Sequence, residues 1–308
     1  MILHPTNKHL RNSFILLCFI YSIGQGQVGL RQYNRVENLR AVPREKFAFV
    51  VLGDRTGEGP DSWKVFDKAI LEINQLRPDF VILIGDIIEG GTTNRTVIDA
   101  RWDEAKQHLD SLGIPLFMVP GDNDICNEAS CSAWKNIFGS TYSAFTYRDC
   151  RFILLNTEET HGTGEEGFGS RQMAFVEEEL RRNDRARQFF FFFHQPVWIS
   201  SGRFKSQWER IESILDGKPY SVFAGHFHVL ASKIRKGHRH LFVGPTGGKM
   251  RLPRNPALGF FHHFTWVSVE GATSHVAFIE PGNIHSEKTA IDAYERYMLG
   301  RLLLKGKR

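Results

Sequence analysis

Apolar positions along the chain fall into two periods. "FAFVVLGD" (47–54), "DFVILIGD" (79–86) and "PLFMVPGD" (115–122) are largely continuous apolar runs, and each closes on Gly-Asp. Such runs predict strands buried on both faces, the habit of a parallel sheet covered by helices. Between them, "WKVFDKAILEINQL" repeats Phe66, Ile70, Ile73 and Leu76 at helical spacing, and "RWDEAKQHLDSLG" predicts a second helix ending at Gly113. "AWKNIFG" reads as a short helix. "YSAFTYRDCRFILLNT" reads as two antiparallel strands around the turn residues Arg148 and Asp149.

The second half repeats the theme. "SRQMAFVEEELRRN" and "QWERIESILDG" carry helical spacing, the first through Met173, Phe175, Val176 and Leu180; "QFFFFFHQP" and "YSVFAGHFH" are buried strands. The five phenylalanines at 189 to 193 fit a strand covered on both faces better than an aromatic binding platform. "HLFVGPTGG", "FHHFTWVSVE" and "SHVAFIE" add strands, which place His262 and His263 in a strand pattern, while His238 and His240 in "KGHRH" read as a basic hairpin edge. This count predicts an α/β fold, a four-layer α/β/β/α sandwich of two mixed β-sheets flanked by helices. The domain is expected over 45–283. A helix over 284–308, with Ile291, Tyr294, Tyr297 and Met298 on one face, is expected to pack on it rather than contact a membrane.

The N-terminus departs from this pattern. Lys8 and Arg11 precede the short apolar run "SFILLCFIYSIG", which ends at small residues; residues 1–24 read as a secretory signal peptide cleaved after Gly24 or Gly26. The run is too short to span a bilayer, so no stable membrane insertion is expected after cleavage, and Leu17 before Cys18 argues against lipidation. Export to a periplasmic or extracellular space favours disulfides; Cys126 and Cys131 are the candidate pair, with Cys150 left over. "NRT" at 94–96 is a glycosylation sequon only in a eukaryotic secretory pathway. A formal charge of +5 spread over 308 residues suits an anionic substrate but gives no footprint of specific nucleic-acid binding.

Three strands ending in Asp54, Asp86 and Asp122 would crowd carboxylates at the sheet rim where ligands bind, and a divalent cation is the natural counter-charge. A single such Asp is usually a helix cap; a series of three is harder to explain that way. His194 closes a later strand, and His226 and His228 follow another, with Gly225 allowing the backbone to turn both toward one cavity. Mixed histidine and carboxylate donors suit manganese, iron or zinc better than calcium.

In order and placement, "GDRTG", "GD", "GDND", His194 and "GHFH" resemble the blocks of the calcineurin-like metallophosphoesterases, over about residues 47 to 230. The resemblance implies a hydrolase with two divalent metal ions, cleaving phosphate mono- or diesters by attack of a hydroxide held between them; that it is exported is expected from the N-terminal segment alone. Asp54 and His228 would hold one ion, Asp122, His194 and His226 the other, and Asp86 would bridge. The implied partner is a phosphate-ester small molecule or a phosphorylated macromolecule; the oligomeric state is not legible.

Three positions depart from the family pattern, the first being Asp122, which replaces the usual asparagine ligand and adds a negative charge expected to tighten a cation and lower its Lewis acidity. Thr56 stands where a histidine ligand is usual, and Asn123 where the family has a histidine held to protonate the leaving group. Asparagine can hydrogen-bond a substrate but cannot act as an acid, a loss typically worth about 10²–10⁴-fold. Asp124 is expected to orient Asn123 or hold a basic residue. Arg55 either binds a phosphate oxygen or points to solvent. His161, in the Gly-rich loop "HGTGEEGFG", and His262 and His263 are alternative acids, each with an ordinary structural role as the simpler account. "GPTGGKM" lacks the hydroxyl residue of a phosphate-binding P-loop and reads as a turn. These departures leave a second reading open: a weakened family member that binds metal or a phosphate ligand without turnover.

Overall fold

Alternation inside the apolar runs decides which core each side chain enters. In the computed structural model, which describes residues 33–39, 46–57, 61–160 and 166–305, β1 (Lys46–Leu52) sends Phe47, Phe49 and Val51 to one side and Val50 and Leu52 to the other. The second group meets α1 (Asp61–Leu76), whose Phe66, Ala69, Ile70 and Ile73 are buried; Leu76, expected on this face, is exposed at the helix end. β2 (Phe80–Leu83) follows, then α2 (Arg95–Leu109), β3 (Leu116–Met118) and α3 (Glu128–Phe138). α2 starts earlier than its periodicity predicts because the Asn94 side chain accepts from Thr96 N and Val97 N as its cap, so the sequon asparagine is a helix cap.

The second sheet is built the same way. β4 (Ser143–Tyr147) and β5 (Cys150–Leu154) pair antiparallel around Arg148 and Asp149, as their sequence predicts. α4 (Ser170–Arg182), β6 (Gln188–Phe193), α5 (Gly202–Ile214) and β7 (Tyr220–Ala224) follow. The phenylalanine run divides: Phe190 and Phe192 face the first sheet, while Phe189, Phe191 and Phe193 pack with Val176, Leu180, Trp208 and Ile211 of the covering helices. β8 (Ala231–Arg235), β9 (His238–Phe242), β10 (Phe264–Glu270), β11 (Thr273–Glu280), β12 (Asn283–Ser286) and α6 (Glu287–Lys305) complete the chain.

One six-stranded sheet has the order β12-β11-β10-β1-β2-β3 and the other β4-β5-β6-β7-β9-β8. Both are mixed: β1 runs parallel to β2 and antiparallel to β10, and β5, β6, β7 and β9 run parallel while β4 and β8 oppose them. Phe49 and Phe80 of one sheet meet Phe152, Phe190 and Phe192 of the other, forming the central core between two helix-covered outer faces. The four-layer α/β/β/α sandwich read from the sequence is the observed fold.

Four details differ from the sequence reading. The tail opens with a strand, β12, before its helix. α6 buries Ala290 and Ala293, with Ile291 and Tyr294 only half-buried; the side chains of Tyr297 and Met298 lie outside the described residues. His262 and His263 precede β10 rather than lie in it, and His240 is buried in β9, inside the edge strand β8. Cys126, Cys131 and Cys150 are all free thiols; Cys126 Sγ instead takes a hydrogen bond from Asn127 Nδ2 (3.2 Å) at the cap of α3. The proposed signal peptide and His161 lie outside the described residues.

Candidate metal centre

Because β1, β2 and β3 run parallel, as do β6 and β7, the residues after each strand meet at one rim between the two sheets. Asp54, Asp86, Asp122, His194, His226 and His228 all stand there. Ligand atoms of Asp122, His194 and His226 lie within 4.8 Å of one another, and so do those of Asp54, Asp86 and His228. Glycine makes this approach possible: a Cβ at Gly121 would sit 2.2 Å from Asp86 Oδ1, and one at Gly225 2.6 Å from Asp54 Oδ2. Asp86, His226 and His228 adopt positive φ (57°, 69° and 52°), left-handed geometry that non-glycine residues accept mainly where a site requires it.

The histidines are aimed by their second nitrogens. His194 Nδ1 lies 3.0 Å from Ile84 O, leaving Nε2 2.7 Å from Asp122 Oδ1 and 3.5 Å from Asp86 Oδ1. His228 Nδ1 bonds Lys249 O, and its Nε2 faces Asp54 Oδ1 at 3.6 Å. His226 Nδ1 lies 3.0 Å from Asp122 Oδ1. Carbonyl partners of this kind fix ring orientation around metals.

The electrostatics call for positive charge. Burial raises the Asp86 pKa, the Asp122 and Asp54 carboxylates raise it further, and the His194 charge opposes them. Burial disfavours an imidazolium at His194, yet Asp86, Asp122 and Asp54 hold its pKa well above the ordinary value. Burial would also raise Asp122, but hydrogen bonds from His194 and His226 hold its carboxyl far below the usual range. Asp54 Oδ2 is buried without a hydrogen-bond partner. An orphaned carboxylate oxygen beside crowded carboxylates and imidazoles fits divalent cations bound by mixed nitrogen and oxygen donors.

The family model for calcineurin-like phosphoesterase matches residues 47–230. The chain belongs to this family. No curated protein gives a significant match to the sequence. Among solved structures, a dimetal phosphatase from Danio rerio superposes with a TM-score of 0.56 at 16% identity, over 76% of this chain and 95% of that one. GAP50, described as the anchor in the inner membrane complex of Plasmodium, gives 0.56 at 14%, over 78% and 88%. PhoD gives 0.57 at 14%, over 78% and 68%. At these identities the likeness is one of fold.

Three residues read as catalytic candidates in this phosphoesterase, Arg55, Asn123 and Asp124, make structural contacts beside the ligand groups. Arg55 neither lines the cavity nor reaches solvent. It is buried, donating to Ile87 O (2.7 Å) and Ser62 Oγ (2.9 Å), with its guanidinium 4.2 Å from the Trp63 ring. Asp124 neither orients the Asn123 side chain nor holds a base. Fully buried, its carboxylate accepts from the backbone N–H of Gly121, Asp86, Ile87 and Ile88, tying the second and third Gly-Asp loops together. Burial, then the Asp86 charge, push its pKa up to about 7 against those bonds. Asn123 donates its backbone N–H to Asp86 Oδ1 (2.9 Å) and its amide to Asp86 Oδ2 (2.7 Å), and it accepts from Gly90 N. It clamps the carboxylate between the two ligand groups. Thr56 Oγ1 also reaches Asp86 Oδ2, at 3.4 Å.

Two segments have roles at the site that the sequence did not disclose. The Gly-rich turn after β9 braces the first loop: Thr246 Oγ1 accepts from Gly53 N, and Gly248 N donates to Asp54 O. Asn156, Thr157 and Glu158 follow β5 and are buried; Gln195, next to His194, donates to both Glu158 oxygens. Because β5 is parallel to β6, its C-terminal end had to reach the same rim, a signal its lack of a Gly-Asp ending hid.

Proposed function

We propose that the chain is an exported phosphoesterase that cleaves phosphate mono- or diesters at a dinuclear metal centre. The observation that carries the reading is the pairing of two three-donor groups around Asp86, with a buried, unpartnered Asp54 oxygen beside them. In this reading Asp54, Asp86 and His228 hold one divalent ion, and Asp122, His194 and His226 hold the second with Asp86 between them. When bound, such ions supply an activated water and neutralise charge on the phosphoryl oxygens. The chain's own residues orient that centre: Ile84 O and Lys249 O set two imidazoles, Asn123 and Thr56 set Asp86, and Asp124 holds the loops. Asn123 brings no acidic proton, so turnover is expected to favour esters whose leaving group needs no protonation. Export rests on the N-terminal apolar segment, and manganese, iron or zinc on the donor set.

The test is metal-loaded protein assayed on p-nitrophenyl phosphate and bis-p-nitrophenyl phosphate, with calorimetric metal titration alongside. Two bound ions and turnover that Asp86→Asn abolishes, with the thermal midpoint kept, are expected. Fewer than two ions without turnover would instead favour a ligand-binding role, the reading that Thr56 and Asn123 motivate.

A further inference from the structure

The turn after β9, "GPTGGKM", is no P-loop, yet it is seated on the first ligand loop. Thr246 N and Gly248 N both donate to Asp54 O, at 2.9 and 3.0 Å, and Lys249 N donates to Thr56 O at 2.9 Å. Lys249 O in turn accepts from His228 Nδ1. The backbone of Lys249 is therefore fixed between the loop that carries Asp54 and the ring of His228, two members of one ligand group.

Its side chain is held at the root and free at the head. A Cβ at Gly57 would sit 2.9 Å from Lys249 Cβ and 3.7 Å from its Cδ, so the aliphatic stem lies across Gly57, next to Thr56. Lys249 is exposed, and its ammonium has no hydrogen-bonded or ionic partner among the described residues. Glu89, whose Oε1 accepts from Gly57 N, pairs with the Arg55 guanidinium instead, at 3.5 Å. Arg251, also exposed, stands 5.8 Å from the ring of Phe227, the residue between His226 and His228, and likewise has no ionic partner among the described residues. Two free cations thus border the ligand groups.

Charge decides what such cations recognise. A phosphate monoester carries about two negative charges near pH 7, whereas a diester carries one. An ammonium on an anchored stem acts on phosphate as a point charge, so it favours the dianion. Thr56 and Asn123 bring no positive charge to the positions where the family has histidines, which leaves Lys249 to supply it from the neighbouring turn. We infer that Lys249 is a substrate-binding residue whose ammonium pairs with the phosphoryl dianion, and that it makes the site prefer monoesters to diesters. The inference rests on the hydrolytic reading above and chooses between the two ester classes that reading leaves open. Arg251 adds to the attraction from beyond Phe227.

The metal-loaded full chain is assayed on p-nitrophenyl phosphate and bis-p-nitrophenyl phosphate, which share a leaving group and differ in charge. Wild type is expected to give a kcat/KM for the monoester at least about tenfold above that for the diester. Lys249→Gln keeps the backbone groups that hold His228 and Thr56, so it is expected to keep the thermal midpoint and to lower the monoester-to-diester ratio about tenfold; Lys249→Arg should restore most of that ratio. Wild type without a preference for the monoester, or a ratio unmoved in Lys249→Gln because both values hold or fall together, overturns the inference. Calorimetric titration with inorganic phosphate separates it from the hydrolytic reading. Protein inert toward both esters that binds phosphate, about tenfold more weakly in Lys249→Gln, keeps the cation site and loses the enzyme. Phosphate binding that is absent, or equal in the two proteins, refutes the site.

Discussion

Asp124 shows how far a side chain's role depends on the turn that carries it. Next to a candidate ligand in sequence, it belongs to neither ligand group and receives four backbone N–H groups instead. Each donor stranded in a dry interior costs about 1–3 kcal/mol, so Asp124→Ala is expected to destabilise the fold by several kcal/mol. Asp124→Asn should be nearly as harmful, because its amide must turn N–H groups toward Asp86 N and Gly121 N or toward Ile87 N and Ile88 N. Urea unfolding measures both; a loss below about 1 kcal/mol in either variant removes the bracing role. Residue type and strand-end position sufficed to read the six candidate ligands from the sequence. The roles of Arg55, Asn123 and Asp124 were not legible, since they follow from local turn geometry: Arg55 leaves Asp54 in the direction of Trp63, and Asn123 lies against Asp86 through backbone and side chain alike.

At the level of elements, the β4–β5 hairpin is a case where sequence signal and geometry agree while the turn remains strained. Arg148 and Asp149 both have positive φ, 47° and 61°, the two-residue turn that follows strand twist and prefers Asn-Gly or Asp-Gly. Glycine at position 149 removes that strain, so Asp149→Gly is expected to raise stability by about 0.5–1 kcal/mol, read as a higher urea midpoint at unchanged slope. A lower midpoint would show that Asp149 contributes more through its side chain than its backbone costs. The long buried strands were legible because burial on both faces forces a continuous apolar run. β8 and β12 were not, because each lies at a sheet edge and half faces solvent: β8 exposes Lys233 and Ile234, and β12 carries the polar sequence Asn-Ile-His-Ser. The rim-facing segment after β5 was missed for a related reason. Its strand was correctly read, but the parallel partner that sends its end to the metal centre is fixed only by the assembled sheet.

For the whole molecule, two buried histidines outside the metal centre set a pH dependence of folding. His240 packs against Trp198, Trp208 and Tyr220 in the outer layer of the second sheet, and His263 lies beside Phe261 and Phe278. Burial, first of all, pushes each pKa down to about 4. The groups facing them are Glu212, Arg235 and His238 for His240, and His262, His285 and Glu280 for His263. None of these reverses the effect of burial, and Nε2 of each ring lacks a hydrogen-bond partner. In the unfolded chain both histidines titrate near the ordinary 6.5. Between that value and about 4 the unfolded state therefore binds protons that the folded state refuses, so stability must fall as pH falls through this window. Each group contributes about 1.4 kcal/mol per pH unit in the middle of it. Glu212, which burial alone would raise, is held down to about 2 by Arg235 and Lys236 and stays charged throughout. Urea midpoints at pH 6.5, 5.5 and 4.5 should decline steeply in the wild type, and His240→Gln should flatten the decline by about one proton's worth. An equally steep decline in the variant would assign the acid sensitivity to the carboxylates of the metal centre instead.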